Sequence, residues 1–323
     1  MEDIFTKTSI HPITDYLYKD VRSGGSFYLK TYSDGELYRN PEDESICYDK
    51  IGAYLQTPRH RLIRKSEEPI LVIQEVDGKP IDIAVENDPN NARRALDRFV
   101  GDTNIMWKAT VLPMDEKETV RNIRQESTQT LGVLSHHPKI EEVMGMKLVI
   151  NGTEYPPLVQ TLTDCYNKLT STSDPVMTLT HGDEHWGNII AGRDGNYKII
   201  DPKHTGFNSP AQTYNLMMGS ALIYYYDWTG SITTDNGTLN INYIANDTTI
   251  RTDEVLSPSL KRLHQQVSSL SSRPFLTDQY LFINLMRASA GMLKRPGDTS
   301  KYVKNGLIYA GIATRMYYDS KVM

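Results

Sequence analysis

The feature that most constrains this chain is a spacing of polar residues between short apolar runs. Thr180-His181-Gly182-Asp183-Glu184-His185-Trp186-Gly187-Asn188 is followed by Lys198-Ile199-Ile200-Asp201-Pro202-Lys203. Asp183, an asparagine five residues later (Asn188) and an aspartate thirteen beyond it (Asp201) supply one candidate base and two hard oxygen ligands. That set suits movement of a phosphoryl group onto a hydroxyl, where catalysis is mostly positioning plus charge neutralisation by Mg²⁺. A carboxylate base needs only hydrogen-bond reach to the hydroxyl. Mg²⁺ takes one or two protein oxygens and fills its shell with water and phosphate. The histidines fit a transition metal poorly, because Gly182 between His181 and His185 argues against a helix and no H-E-x-x-H occurs.

The segments around this motif read as strands meeting loops. Asn188-Ile189-Ile190-Ala191 and Tyr197-Lys198-Ile199-Ile200 flank Arg193-Asp194-Gly195-Asn196, a turn-forming cluster. Toward the N-terminus, β-prone runs at 17–21 and 27–32 flank Ser23-Gly24-Gly25, a hairpin signal. Alternation puts Tyr28, Lys30 and Tyr32 on one face of the second run, with Lys30 in mid-strand. Pro41-Glu42-Asp43-Glu44 opens a helix that continues through Cys47, Ile51 and Tyr54, since proline suits the first turn and acids suit the helix dipole. Spacing lets Glu44 return alongside Lys30, and lets Asp43 or Glu42 do so equally well. Strands are expected at 62–65 and 70–76, closed by the turn Asp77-Gly78-Lys79-Pro80.

Helical character takes over after that turn. Ala92, Ala95, Leu96 and Phe99 form one apolar stripe, and Val120, Ile123, Leu131 and Val133 a looser one. Asn-Gly pairs at 151–152 and 236–237 mark hairpins over 147–155 and 231–242. Helices are expected over 158–169, 210–226 and, as three pieces broken at 271–274 and 295–298, over 253–318. The expected organisation is thus a strand-rich N-terminal part, residues 1–77, and a mainly helical part, 78–323.

At 323 residues the chain has ample core for an enzyme. A formal charge of -5 argues against general nucleic-acid binding. Cys47 and Cys165 match no disulfide framework and no metal spacing, and read as buried small hydrophobes. No secretory signal and no apolar run of about 20 residues is present, so a cytoplasmic chain without a membrane span is expected. Asn151, Asn236 and Asn246 head glycosylation-like triplets and read as turn residues.

The motif resembles that of the aminoglycoside phosphotransferase/choline kinase-like family, whose fold is α+β and bilobal, protein-kinase-like. Its H-G-D-x-H-x-x-N loop is met by His181, Gly182, Asp183, His185 and Asn188, and its I-D motif by Ile200 and Asp201. Gln74-Glu75-Val76-Asp77-Gly78 is similar to that family's inter-lobe linker, and Gly206-Phe207-Asn208-Ser209-Pro210-Ala211 to its G-x-x-D-P-A segment. The resemblance implies a small β-rich N-lobe with one helix (1–77, nucleotide-binding) and a larger, mainly helical C-lobe (78–323, catalytic and substrate-binding). It implies Asp183 as catalytic base, Asn188 and Asp201 as Mg²⁺ ligands, and Lys30 on the α- and β-phosphates, held by Glu44. Backbone groups near Gln74 and Val76 would meet the base of ATP, with GTP left open. His181 would fix the loop, and His185 would pack within it or neighbour the substrate.

The chain departs from the family in three places. No glycine-rich loop precedes the hairpin, where 8–13 stand instead; Glu184 replaces an apolar residue; and Ser209 replaces an aspartate. The acceptor implied is a small hydroxyl compound: sugar, sugar derivative, amino alcohol or antibiotic. From residue 251 onward eleven Lys and Arg face five Asp and Glu, which argues against a polycationic antibiotic and for a neutral or anionic acceptor. A nucleotide-binding pseudokinase or scaffold is the alternative from another class. A protein kinase is disfavoured by the absence of D-F-G and A-P-E patterns.

Overall fold

The computed structural model describes residues 10–14, 17–22, 25–31, 40–64, 69–113, 138–172, 176–202, 205–222, 228–270, 282–283, 285–286 and 299–319. They form two compact units, residues 1–111 with 178–208, and residues 112–177 with 209–323. The lobe boundary expected after residue 77 falls inside the first unit, because the strand that follows it pairs with the segment after the central motif.

The first unit contains a five-stranded antiparallel sheet built from β1 (Ile10–Thr14), β2 (Leu17–Arg22), β3 (Gly25–Lys30), β4 (His60–Ile63) and β5 (Ile70–Gln74), in the order β1-β2-β3-β5-β4. Lys30 pairs with Leu17 on one side and Leu71 on the other, which puts it at the end of β3 rather than in mid-strand. β1 is a strand the sequence did not announce. The hairpin tip at Ser23-Gly24, the β1–β2 connection at 15–16, Tyr32 and Lys203 lie outside the described residues.

Helix α1 (Pro41–Gly52) starts where proline and the acids placed it, with the Asn40 side chain accepting from the Glu42 N–H as N-cap. Its inner face buries Tyr48 and Ile51 against the sheet, where Tyr48, Leu71 and Ile73 share a core cluster.

Asp77-Gly78-Lys79-Pro80 was expected to be a turn, but Gly78–Pro80 forms β6 and pairs with β11 (Ile189–Gly192), itself paired with β12 (Tyr197–Ile199). The partner lies far along the chain, so no local signal reveals it. Gly78 is required there, since a Cβ would stand 2.3 Å from the Ala191 carbonyl oxygen. Gly78→Ala is therefore expected to cost about 1–3 kcal/mol through overpacking. A lowered urea midpoint with unchanged slope checks it, and an unaltered midpoint would contradict this pairing.

Helices α2 (Ile81–Asn87) and α3 (Pro89–Thr110) follow. α3 buries Ala92, Ala95, Leu96, Phe99, Val100, Met106 and Trp107 at helical spacing, extending the stripe read from sequence. Each fully buried large side chain among them contributes roughly 1.5–3 kcal/mol. Phe99 meets Tyr197 edge to face at 5.4 Å, and the Tyr197 hydroxyl donates to Asp102 at 2.8 Å while accepting from the Gln56 N–H at 3.2 Å. One phenol thus links α3, β12 and the loop after α1, and fixes where β12 delivers Asp201.

The second unit has the two-residue strand β7 (Leu112–Pro113) and a four-stranded sheet, β14-β15-β8-β9, with β8 (Lys147–Ile150), β9 (Thr153–Tyr155), β14 (Trp228–Asp235) and β15 (Thr238–Ala245). Both Asn-Gly pairs turn hairpins with positive φ at both residues, 48° and 80° at Asn151-Gly152, 47° and 74° at Asn236-Gly237, as the primed turn requires. β15 runs parallel to β8, a pairing no local pattern indicates.

Among the described residues it includes the helices α4 (Pro138–Met144), α5 (Leu158–Thr172), α6 (Pro210–Ser220), α7 (Asp247–Ser269) and α8 (Thr299–Asp319). α7 starts earlier than expected because Asn246 caps the Thr249 N–H, and it contains Pro258. α8 packs on the β14–β15 hairpin, where Gly311 lets the helix approach Ile241. The expected stripe through Val120–Val133 and the breaks at 271–274 and 295–298 lie outside the described residues. Cys47 and Cys165 are buried thiols outside any disulfide, as expected, and burial pushes both pKa values up. Among the described residues no helix is long and apolar enough to cross a membrane.

Candidate active site

The candidate site residues Lys30, Glu44, Gln74, Val76, Asp183, Asn188 and Asp201 all fall in the first unit. β3 ends by aiming Lys30 at two carboxylates. Its Nζ lies 2.6 Å from Glu44 Oε1, in the first turn of α1, and 2.9 Å from Asp201 Oδ1, just after β12. Of the three acids that spacing allowed, Glu44 is the one that pairs, because it occupies the buried face of α1 while Asp43 is exposed.

Burial opposes the Lys30 ammonium most strongly, yet Glu44 and Asp201 together outweigh it and hold its pKa above the ordinary value of 10.5. A raised folded-state pKa means that its stabilising contribution is complete below the unfolded value and is lost as pH rises through the folded one. The difference in thermal midpoint between wild type and Lys30→Met is therefore expected to be constant at neutral pH and to shrink above about pH 10.5. A difference independent of pH across that range would contradict the ion-pair account.

Asp201 is held by its backbone. It adopts φ 62°, a left-handed conformation that aspartate tolerates better than most residues, and its N–H donates to the Tyr48 hydroxyl at 3.0 Å. Burial, reinforced by Glu44, pushes the Tyr48 pKa strongly up, so the phenol stays protonated. Sequence reasoning missed Tyr48. Its signal was available, because Glu44 and Tyr48 are four apart and share one helix face.

Asp183 and Asn188 belong to the loop between β10 (Val176–Thr180) and β11. His181 is fully buried and organises this loop: its Nδ1 accepts from the Asp183 N–H at 3.3 Å, and its Nε2 lies 2.9 Å from the Ile200 carbonyl. Those partners assign the tautomer with the proton on Nε2. The Glu184 carboxylate, 1 % exposed, turns back to accept the N–H groups of His181 at 2.8 Å and Gly182 at 3.1 Å. Gly182 supplies the φ of 87° that this reversal needs.

His185 Nδ1 accepts from the Gly187 N–H at 3.1 Å, capping the short 3₁₀ turn Trp186–Asn188, while its Nε2 stands 4.0 Å from Asp183 Oδ2. It therefore packs the loop and neighbours the candidate base at once. Asn188 Nδ2 donates to the Asp183 carbonyl at 2.9 Å and approaches its carboxylate at 3.4 Å. Strand β13 (Gly206–Asn208) closes this region by pairing with β10, and Thr205 Oγ1 donates to the carbonyls of His181 and Pro202.

A cavity of about 460 Å³ opens between these elements. Lys30, Glu44 and Asp201 form one end of its wall; Gln74, Glu75 and Val76 line it where β5 leaves the sheet; Ile190 and Ile200 add apolar surface. Gly187 lines the cavity; Asp183 and Asn188, in the same loop, are not among its lining residues. Glu75 accepts from Lys19 at 2.5 Å and from the Tyr28 hydroxyl at 3.3 Å, a group that sequence reasoning did not assemble. The hydrogen bond from Lys19 is the chief cause that holds the Glu75 carboxyl below its ordinary range. The volume, the apolar walls and the few converging charges are those of a small-molecule pocket.

The oxygen ligands expected for Mg²⁺ fit a hard cation. Asp201 already bears a cationic group, the Lys30 ammonium, on its carboxylate, and Asn188 commits its NH₂ to Asp183, which leaves its amide oxygen for a metal. Among the described residues no cluster of three or more His, Cys, Asp or Glu forms a protein-only metal site. A Mg²⁺ ion completed by phosphate and water needs none.

No family model and no curated protein sequence matches the chain. Solved structures do. A thermostable mutant of the aminoglycoside phosphotransferase APH(4)-Ia superposes with a TM-score of 0.60 at 9% identity, over 100% of this chain and 98% of the other. A ternary complex of another such mutant with ADP and hygromycin B gives 0.56 at 10% identity, over 97% and 93%. The choline kinase LicA from Streptococcus pneumoniae gives 0.50 at 11% identity, over 94% and 92%. The chain therefore has the α+β, bilobal, protein-kinase-like fold of these phosphotransferases.

Proposed function

We propose that the chain is an ATP- and Mg²⁺-dependent small-molecule kinase that transfers the γ-phosphoryl group to a substrate hydroxyl. The observation that carries this reading is Lys30 bridging Glu44 and Asp201 at the end of a cavity whose adjoining loop holds Asp183 and Asn188. The lysine would receive nucleotide phosphates, and Glu44 would keep it in place as they arrive. Residues 74–76 would meet the nucleobase, with residues 1–77 serving as the nucleotide-binding lobe and 78–323 as the catalytic and substrate-binding lobe. Asp183, with its backbone fixed on both sides, would orient the acceptor hydroxyl and take its proton.

Asn188 and Asp201 would hold Mg²⁺, which supplies charge neutralisation on the transferring phosphates. Structures of the same fold carry ADP with hygromycin B in one case and belong to a choline kinase in another. A sugar, sugar derivative, amino alcohol or antibiotic is the acceptor class. The excess of basic residues after 251 favours a neutral or anionic member of it.

Calorimetric titration with ATP, with and without Mg²⁺, tests the nucleotide half of this reading. Binding strengthened by Mg²⁺ is expected. Binding that is absent in both would remove it, and binding without turnover on any hydroxyl compound would favour a nucleotide-binding scaffold.

A further inference from the structure

Glu184 is the charged group in this loop that the proposed chemistry does not use. It is 1 % exposed, and its two carboxylate oxygens accept from consecutive backbone N–H groups, those of His181 and Gly182. Withdrawing a carboxylate from water is costly unless hydrogen bonds replace the solvent. An apolar side chain would fill the same space without that cost. What a carboxylate adds is directional: it fixes the turn at Gly182, where φ is 87°, and with it the direction in which the chain leaves toward Asp183.

Asp183 has further anchors on its backbone, since its N–H donates to His181 Nδ1 and its carbonyl accepts from the His185 N–H at 2.9 Å and from Asn188 Nδ2. Glu184 thus completes a clamp on the backbone from which the Asp183 carboxylate projects.

Resting on the kinase reading above, we propose that Glu184 is a positioning residue for phosphoryl transfer, acting through the loop to aim Asp183. Displacing a reacting group by about 1 Å can cost on the order of a hundredfold in rate. Glu184→Met is accordingly expected to lower kcat for MgATP hydrolysis, with water as acceptor, about a hundredfold. Glu184→Gln, which keeps the shape and one acceptor oxygen, should lose about tenfold. KM for ATP should be unchanged in both, because Lys30, Glu44 and residues 74–76, which would hold the nucleotide, lie on other elements.

Phosphate release from the full-length wild type, Glu184→Gln, Glu184→Met, Asp183→Asn and the Asp183→Asn/Glu184→Gln double variant gives the test. If Glu184 works through Asp183, the double variant is no slower than Asp183→Asn alone. Additive losses, or losses in kcat accompanied by a matching rise in KM and a collapsed thermal midpoint, would reduce Glu184 to a structural role and overturn the proposal. A wild-type rate in both Glu184 variants would overturn it while sparing the kinase reading. A wild type that neither releases phosphate to water nor labels any hydroxyl acceptor would overturn both.

Discussion

Replacing Asp183 by alanine is expected to lower phosphoryl transfer by a factor of about 10²–10⁴, the range for removing a positioned general base. Nucleotide affinity should survive. The reason lies in the division of labour within the first unit. The part of the cavity that would receive phosphates is lined by Lys30, Glu44 and Asp201, and Asp183 is not among the lining residues. The loop should also keep its shape without this side chain, because the contacts that hold it run through other atoms: the Asp183 backbone, the His181 ring and the Glu184 carboxylate. Single-turnover kinetics beside ATP titration separates the two effects. Turnover at the wild-type rate would remove Asp183 as the base.

The second large effect belongs to Asp201. Asp201→Asn should abolish most of the gain in nucleotide affinity that Mg²⁺ provides, by more than the roughly 10–100-fold typical of losing an outer-shell partner of a metal. Asparagine is the better probe than alanine here. The residue sits at φ 62°, where Asn and Asp are tolerated and a plain Cβ side chain is strained, so alanine would mix a backbone penalty with loss of the ligand. The N–H bond to Tyr48 does not depend on the side chain and should persist. Lys30 would retain Glu44. Affinity for ATP measured without Mg²⁺ should therefore change little while the Mg²⁺-dependent increment disappears. An increment equal to that of the wild type would exclude Asp201 as a ligand.

The legible parts of this chain are those whose cause is local. Asn151-Gly152 and Asn236-Gly237 announced their hairpins because two successive residues with φ > 0 are nearly confined to such pairs. Pro41 with its acids announced the start of α1, and the apolar stripe from Ala92 announced α3. The central motif gave the order and spacing of Asp183, Asn188 and Asp201, though not their distances.

What stayed hidden depends on partners far along the chain. β6 looked like a turn because its pairing strand β11 lies beyond α3 and β10, and β15 gave no hint of its parallel alignment with β8. The Lys30–Glu44 pair was one of three that spacing allowed, and only the buried face of α1 decided between them. Glu184 read as a departure from a family pattern. Its burial beneath two backbone N–H groups follows from a reversal of the loop that no periodicity encodes.

The central claim is that this site moves phosphate from a nucleotide to a hydroxyl. It is tested most directly by incubating the protein with Mg²⁺ and ATP labelled at the γ-phosphorus, against a panel of sugars, sugar derivatives, amino alcohols and aminoglycosides, and following the label by mass spectrometry. Appearance of the label in an ester of one acceptor class, lost in Asp183→Ala, is the predicted result. Tight, Mg²⁺-dependent ATP binding with no labelled ester from any acceptor and no phosphate released to water would contradict it.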